Sequence, residues 1–258
     1  MREASISVII PTFDRPKLAE RALESVRCQT RKAGEIIIVD DGSRRCYAEK
    51  LGLDNPTIRV IRLGTNLGPA AARNAGLRVA SGEIICFLDD DDEYHPQYLS
   101  VVNEALLEAP ADVGLCWTGV LVKWCESTRL QSRVRDYSPR IRDRKSLLQS
   151  FLSIGLGHGV AVRRSCFAEV GPFCEGLRLV EDTEWFLRFL ARGYVPRAIP
   201  GVHVTVHCHE ESRLTSAERD IARRRECEVV LIRMAAFLTG HPDLRDMLQS
   251  TVGLSGRT

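Results

Sequence analysis

The stretch Phe87-Leu88-Asp89-Asp90-Asp91-Asp92 carries an apolar run straight into four adjacent carboxylates. Like charges a few ångströms apart repel by several kcal/mol unless one carboxyl holds its proton, an arginine intervenes or a divalent cation binds. Glu83 to Leu88 has the composition of a buried strand, so the carboxylates fall at its carboxyl end, the edge where open α/β sheets bind ligands. Two readings stand beside each other here, a metal site and an acidic turn that merely ends a strand.

The preceding sequence repeats the pattern. Ile6 to Ile10 and Glu35 to Val39 are short apolar strands, separated by a helix from Pro16 with Leu18, Ala22 and Val26 on one face. Ile58 to Leu63 is a third strand, and Pro69 to Val79 a helix of small residues leading to the fourth strand. Such alternation predicts βαβ units on a parallel sheet. Pro11 ends the first strand, and Asp40 and Asp41 end the second, so one sheet edge should collect the Thr12 loop and both acidic clusters.

Beyond Pro96 the expected elements are a helix over Gln97 to Glu108, a strand or strand pair over Val113 to Lys123, a helix over Leu147 to Ile154 and a strand over Gly159 to Arg163. A helix over Glu181 to Ala191, a late strand over His203 to Cys208 and a long helix over Ala217 to Leu238 follow. Residues 129 to 145 hold six arginines and Lys145 with little apolar content, which reads as a solvated connection, with a lid or an anionic-acceptor surface as the functional alternative.

Composition sets the outer bounds. The 258 residues are 44% hydrophobic, enough for a substantial core. A net charge of +2, from 36 basic and 34 acidic residues, argues for no nucleic-acid partner, and the arginines of 129 to 145 lack interleaved aromatics. Nine cysteines without CxxC spacing suit a reduced, cytoplasmic setting. Neither a secretory core nor a membrane span is present in the sequence. Arg223, Arg224 and Arg225, with Val229, Val230, Ile232 and Met234 behind them, offer peripheral contact with the inner membrane face or, more plainly, packing on the rest of the chain.

Four segments occur in a telling order: Ser7-Val-Ile-Ile-Pro-Thr-Phe-Asp-Arg15, Ile38-Val-Asp-Asp-Gly-Ser43, Asn66-Leu-Gly-Pro-Ala-Ala-Ala-Arg-Asn-Ala-Gly76 and Gly82-Glu-Ile-Ile-Cys-Phe-Leu-Asp-Asp-Asp-Asp92. Together with Glu181-Asp182-Thr-Glu-Trp-Phe-Leu-Arg188, this series resembles the family 2 glycosyltransferases of the GT-A fold over roughly residues 5 to 215. The resemblance implies an α/β fold with a mostly parallel central sheet flanked by helices. It further implies a catalytic domain over 1–215, with a nucleotide-sugar half over 1–95 and an acceptor half over 96–215, and a C-terminal helical extension over 216–258. The implied reaction is transfer of a sugar from a nucleotide-diphosphate donor, a UDP-sugar first among them, to an acceptor hydroxyl with inversion. Saccharide, lipid-linked and small-molecule acceptors all stay open.

By that resemblance Pro11, Thr12 and Phe13 line the base pocket and Asp41 accepts from the base, while Asp40 is the structural member of its pair. Gly68, Arg73, Asn66 and Asn74 lie beside the diphosphate, Arg73 pairing with phosphate or with the acidic cluster and Asn74 serving equally to cap or cross-link loops. Asp89 and Asp91 form the DxD signature, with Asp91 on Mn²⁺ or Mg²⁺, Asp89 on the ribose or on the metal through water, and Asp90 and Asp92 in reserve. The metal would stabilise the departing nucleoside diphosphate. Asp182 is the implied base, removing the acceptor proton in a single displacement. His209, with a hydroxyl near it, would approach the diphosphate or metal, and His207 would face the same side. The chain departs from the family at Asp14, where asparagine is usual, which implies a changed turn or base preference. Gly155, Gly157 and Gly159 around His158 suit backbone close to an acceptor or a simple loop. A nucleotidyltransferase would need a glycine-rich basic loop after the first strand, which Pro11 to Pro16 is not, and a binding module without catalysis would need no base.

Overall fold

The first third alternates strand and helix as its spacing requires. In the computed structural model, which describes residues 3–45, 51, 55–126, 129–138, 141–208 and 217–253, β1 (Ile6–Thr12), α1 (Pro16–Arg27), β2 (Glu35–Asp40), β3 (Ile58–Arg62), α2 (Pro69–Val79) and β4 (Ile84–Leu88) follow in turn. β1 lies between β2 and β4 with parallel pairing to both, and β3 adds in parallel to β2. Thr12, Asp40 and Asp89 therefore reach the same carboxyl edge.

The remaining elements are β5 (Glu93–Tyr94), α3 (Tyr98–Leu107), β6 (Val113–Glu126), β7 (Arg129–Arg135), α4 (Arg144–Ser153), β8 (His158–Arg163), α5 (Arg164–Val170), α6 (Glu181–Ala191), β9 (Val195–Cys208), α7 (Ala217–Arg233), α8 (Ala235–Thr239) and α9 (Pro242–Gly253). Their strands extend the same sheet in the order β3-β2-β1-β4-β8-β6-β9-β5, with β7 on β6. Beyond β4 the sheet is mixed: β8 is antiparallel to both β4 and β6, and β5 to β9, while β6 and β9 pair in parallel.

Residues 129 to 145 differ from the expected connection. β7 pairs antiparallel with β6 from Val120↔Arg135 to Glu126↔Arg129. Its arginines alternate with Leu130 and Val134, and backbone ladder bonds need no apolar side chains, so a charged segment still forms an edge strand. Within the same stretch Asp143 caps α4, accepting from the Ser146 N–H at 2.8 Å. The long C-terminal helix also ends sooner than its periodicity suggests, at Arg233, and resumes as α8 after Met234.

Strand alternation divides the core. Ile6, Val8, Ile10, Ile36 and Ile38 pack on one sheet face with Leu23 and Val26 of α1 and Leu99, Val102 and Leu106 of α3. Ile9, Ile37, Val39 and Phe87 face the other way, onto Ala72 and Ala75 of α2 and an aromatic group of Phe151, Trp185, Phe186 and Phe189. A third cluster joins Leu148, Leu177, Val180 and Leu187 to Cys227, Val230, Met234, Leu238, Leu244 and Leu248 of the C-terminal helices. The described cysteines are free thiols, and Cys86, Cys116 and Cys166 lie buried as small apolar residues. Among the described residues no helix is long and apolar enough to cross a membrane.

Candidate active site

The acidic run leaves β4 in a tight turn in which the Asp92 N–H donates to the Asp89 carbonyl at 3.1 Å. Asp89 is the most open, with its side chain 31% exposed, and receives Arg73 Nη2 at 3.0 Å. Asp90 is buried, accepting from Thr12 Oγ1 at 2.7 Å and from Arg15 Nη1 at 3.0 Å. Burial pushes its carboxyl up to about 6, against the pull of Arg15 and Thr12. Asp91 meets the same Arg15 nitrogen at 3.1 Å, while Arg21 Nη2 donates to its carbonyl at 2.6 Å. Asp92 is 2% exposed and accepts from the His207 N–H at 3.0 Å. Burial, with Asp89 and Asp91 nearby, raises its carboxyl well above the carboxylate range.

Arg15 and Arg73 thus compensate part of the charge of the acidic run. Asp89, Asp92 and His158 each offer a ligand atom, all within 4.8 Å of one another. His158 Nε2 is 3.7 Å from Asp92 Oδ2. Burial holds the imidazole below the ordinary histidine range although Asp89, Asp182 and Asp91 pull it back, which favours the neutral form that ligates metal. Gly157 makes the grouping sterically feasible. A Cβ there would lie 2.2 Å from the Asp89 carboxyl carbon, so a larger residue would displace the Asp89 carboxylate from the grouping. The carboxylate-rich set suits a hard divalent cation such as Mn²⁺ or Mg²⁺.

At the end of the neighbouring strand β1 Phe13 is 38% exposed and Pro11 half-buried. Asp40 accepts from the Ser43 N–H at 2.8 Å, the turn role expected of it. Asp41 is committed more heavily than its spacing suggested: its two oxygens accept from the Leu67 and Gly68 N–H groups, both at 2.8 Å. It therefore fastens the loop in which Gly68, at φ 96°, opens α2. Asp14 adopts φ 54°, and its carboxylate takes the Arg44 N–H at 2.9 Å and Nε at 2.7 Å. The departure at Asp14 is thus absorbed in the turn.

Arg73 is buried, with Nη2 on Asp89 and Nη1 on Glu181 Oε1 at 2.6 Å. One guanidinium joins the acidic run to the first turn of α6. Burial and the adjacent Asp182 raise the Glu181 carboxyl, and Arg73 opposes them. Asp182 follows in that turn, its Oδ1 accepting from the Thr183 N–H at 2.6 Å. Trp185, Phe186 and Phe189 anchor the helix in the aromatic group, and Trp185 Nε1 donates to the Gly171 carbonyl at 2.9 Å. Asn74 cross-links loops, donating to the Phe173 carbonyl at 2.9 Å and accepting from its N–H at 2.9 Å.

The late strand divides its duties. The His207 ring lies 2.7 Å from Glu93 Oε1, so its backbone rather than its imidazole meets the acidic run. His209 lies outside the described residues. Spacing assigns no site role to Arg15, Arg21 or His158; the glycines around His158, which suit backbone close to an acceptor or a simple loop, are the one local signal there.

Known proteins resemble this chain in sequence and in fold. The family model for glycosyl transferase family 2 matches residues 7–171. An uncharacterized glycosyltransferase of Haemophilus influenzae is 28% identical over 210 residues, covering 80% of this chain and 70% of that protein. The GalNAc(5)-diNAcBac-PP-undecaprenol beta-1,3-glucosyltransferase of Campylobacter jejuni is 38% identical over 112 residues, which is 42% of this chain and 36% of that enzyme. Among solved structures, the mannosyltransferase PcManGT of Pyrobaculum calidifontis, in complex with GDP-Man and Mn²⁺, superposes with a TM-score of 0.67 at 18% identity, covering 99% of this chain and 74% of that one. TarS 1-349 of S. aureus in complex with UDP-GlcNAc gives 0.66 at 21% identity, covering 88% and 66%. With its matched segment spanning well over half the sequence and its sheet built on the GT-A plan, the chain belongs to glycosyl transferase family 2.

Proposed function

We propose that this chain moves a sugar from a nucleoside-diphosphate donor to an acceptor hydroxyl by single displacement with inversion at the anomeric carbon. The observation that carries the reading is the Arg73 bridge, which ties Asp89 at 3.0 Å to Glu181, the neighbour of Asp182, at 2.6 Å. The leaving-group side and the base thereby share one charged anchor. Asp182 takes the acceptor proton at its carboxylate as the oxygen attacks opposite the departing diphosphate. Phe13 supplies a face for the base, and Asp41 shapes the loop beside it. Asp89, Asp92 and His158 would hold a divalent cation, with Asp91 next to them in the acidic run. When bound, it would neutralise charge building on the leaving diphosphate.

A UDP-sugar is the first donor to test, with GDP-sugars second, as the solved relatives hold UDP-GlcNAc and GDP-Man. A lipid-linked acceptor is favoured by the Campylobacter relative and by the exposed face of α7, where Ile221, Val229 and Ile232 lie in solvent. Nucleotide release and product formation with UDP-, GDP- and dTDP-sugars, with and without Mn²⁺, test the reading. Asp182→Asn should lower transfer at least a hundredfold while donor affinity stays within a factor of three; near-normal turnover in that variant rules out the assigned base.

A further inference from the structure

We infer that Arg178 is a donor-binding residue, aimed at the diphosphate side of the nucleotide pocket, and that Glu226 on the C-terminal helix α7 holds it there. This rests on the donor site proposed above and extends it to two residues outside the five sequence segments that resemble the family.

The Arg178 side chain runs across Gly68: its Cγ, Nε and Cζ lie 3.7, 3.8 and 3.8 Å from the position a Cβ on that glycine would occupy. Its charge reaches Asp41 and draws that carboxyl down against the upward push of burial. Yet among the described residues the guanidinium forms no ion pair or hydrogen bond, and the residue is exposed. An arginine over the glycine that opens α2, beside a loop already fixed by Asp41, is placed to fork onto an anionic group entering from solvent. The donor diphosphate is the anion that the proposed reaction brings to this edge.

The backbone under Arg178 is held from the other side. Glu226 accepts from the Arg178 N–H, with both oxygens at 3.1 Å, and from the Leu179 N–H at 2.8 Å. Leu177 and Val180 are buried in the C-terminal cluster with Cys227 and Val230. The segment is therefore pinned by its flanking apolar residues and its N–H groups, with the Arg178 side chain lying across Gly68. Val180 is also the residue from which α6 starts, so the same clamp sets the approach to Asp182. Glu226 acts through Arg178 and is a positioning residue.

The test is calorimetric titration of the full chain with UDP, GDP and the matching nucleosides. Arg178→Ala should weaken nucleoside-diphosphate binding about tenfold and leave nucleoside binding unchanged, with Arg178→Lys between it and the wild type. Glu226→Ala should shift the diphosphate-to-nucleoside affinity ratio in the same direction, and the double variant should match Arg178→Ala in that ratio, because the two residues act in series. Loss of packing alone would lower both affinities together and leave their ratio fixed. Equal diphosphate affinity in wild type and Arg178→Ala overturns the inference while the donor site stands. Failure of the wild-type chain to bind either diphosphate overturns the donor site and this inference with it.

Discussion

Asp89 is the carboxylate on which the proposed cation site turns, because it is the more exposed carboxylate of the candidate ligand set and lies against Gly157. Asp89→Asn should weaken Mn²⁺ binding more than tenfold by titration, and more than Asp91→Asn, whose parent side chain is already shared with Arg15. Unaltered Mn²⁺ affinity in Asp89→Asn would remove the proposed site. Asp90 carries a different prediction. Its folded-state carboxyl holds its proton to about 6, above the ordinary value near 3.8, so the folded protein binds that proton more tightly than the unfolded chain does. Its contribution to stability is therefore greatest at low pH and falls as pH rises from about 4 to 6. Unfolding free energies of wild type and Asp90→Asn, both metal-free, should diverge over that window, the wild type losing up to about 3 kcal/mol relative to the variant. Parallel pH profiles would contradict this account of Asp90.

At the scale of elements, α7 divides its apolar residues between two environments. Cys227, Val230 and Met234 face the third core cluster, as plain packing requires, while Ile221, Val229 and Ile232 stay in solvent with Arg225 among them and Glu228 as the acidic neighbour. An interfacial helix has such a face. Vesicles containing anionic phospholipid should sediment the protein, neutral vesicles should not, and an Ile221→Ser/Ile232→Ser variant should lose the binding without a change in thermal midpoint. Equal sedimentation with both vesicle types, or none with either, counts against membrane docking. The β6–β7 hairpin makes a separate point about reading elements: alternation of Arg129, Gln131, Arg133 and Arg135 with Leu130, Ser132 and Val134 is a strand period, masked by its charge.

Across the whole molecule, the C-terminal helices cover Leu148, Leu177, Val180 and Leu187 and so support the segment that enters α6. A chain ending at residue 216 would uncover these four side chains, a loss of roughly 6 kcal/mol by apolar area, comparable with the total stability of many domains. Its thermal midpoint should fall by more than 10 °C or the protein should aggregate; an unchanged midpoint would show that the extension is dispensable.

The sequence by itself determined the four-stranded parallel start, the carboxyl edge that gathers Thr12, Asp40 and the acidic run, the helix that presents Asp182, and the family. Each of these is fixed by local periodicity, by where apolar runs stop, or by motifs in order. Only the tertiary structure decided that Arg73 spans Asp89 and Glu181, that Asp41 spends its oxygens on Leu67 and Gly68, and that Asp92 and His158 lie behind Asp89. Such meetings join residues as far as 108 positions apart. Local spacing orders residues along a strand or helix, whereas the packing of β8, α6 and α7 around one sheet sets which side chains from distant segments share a partner.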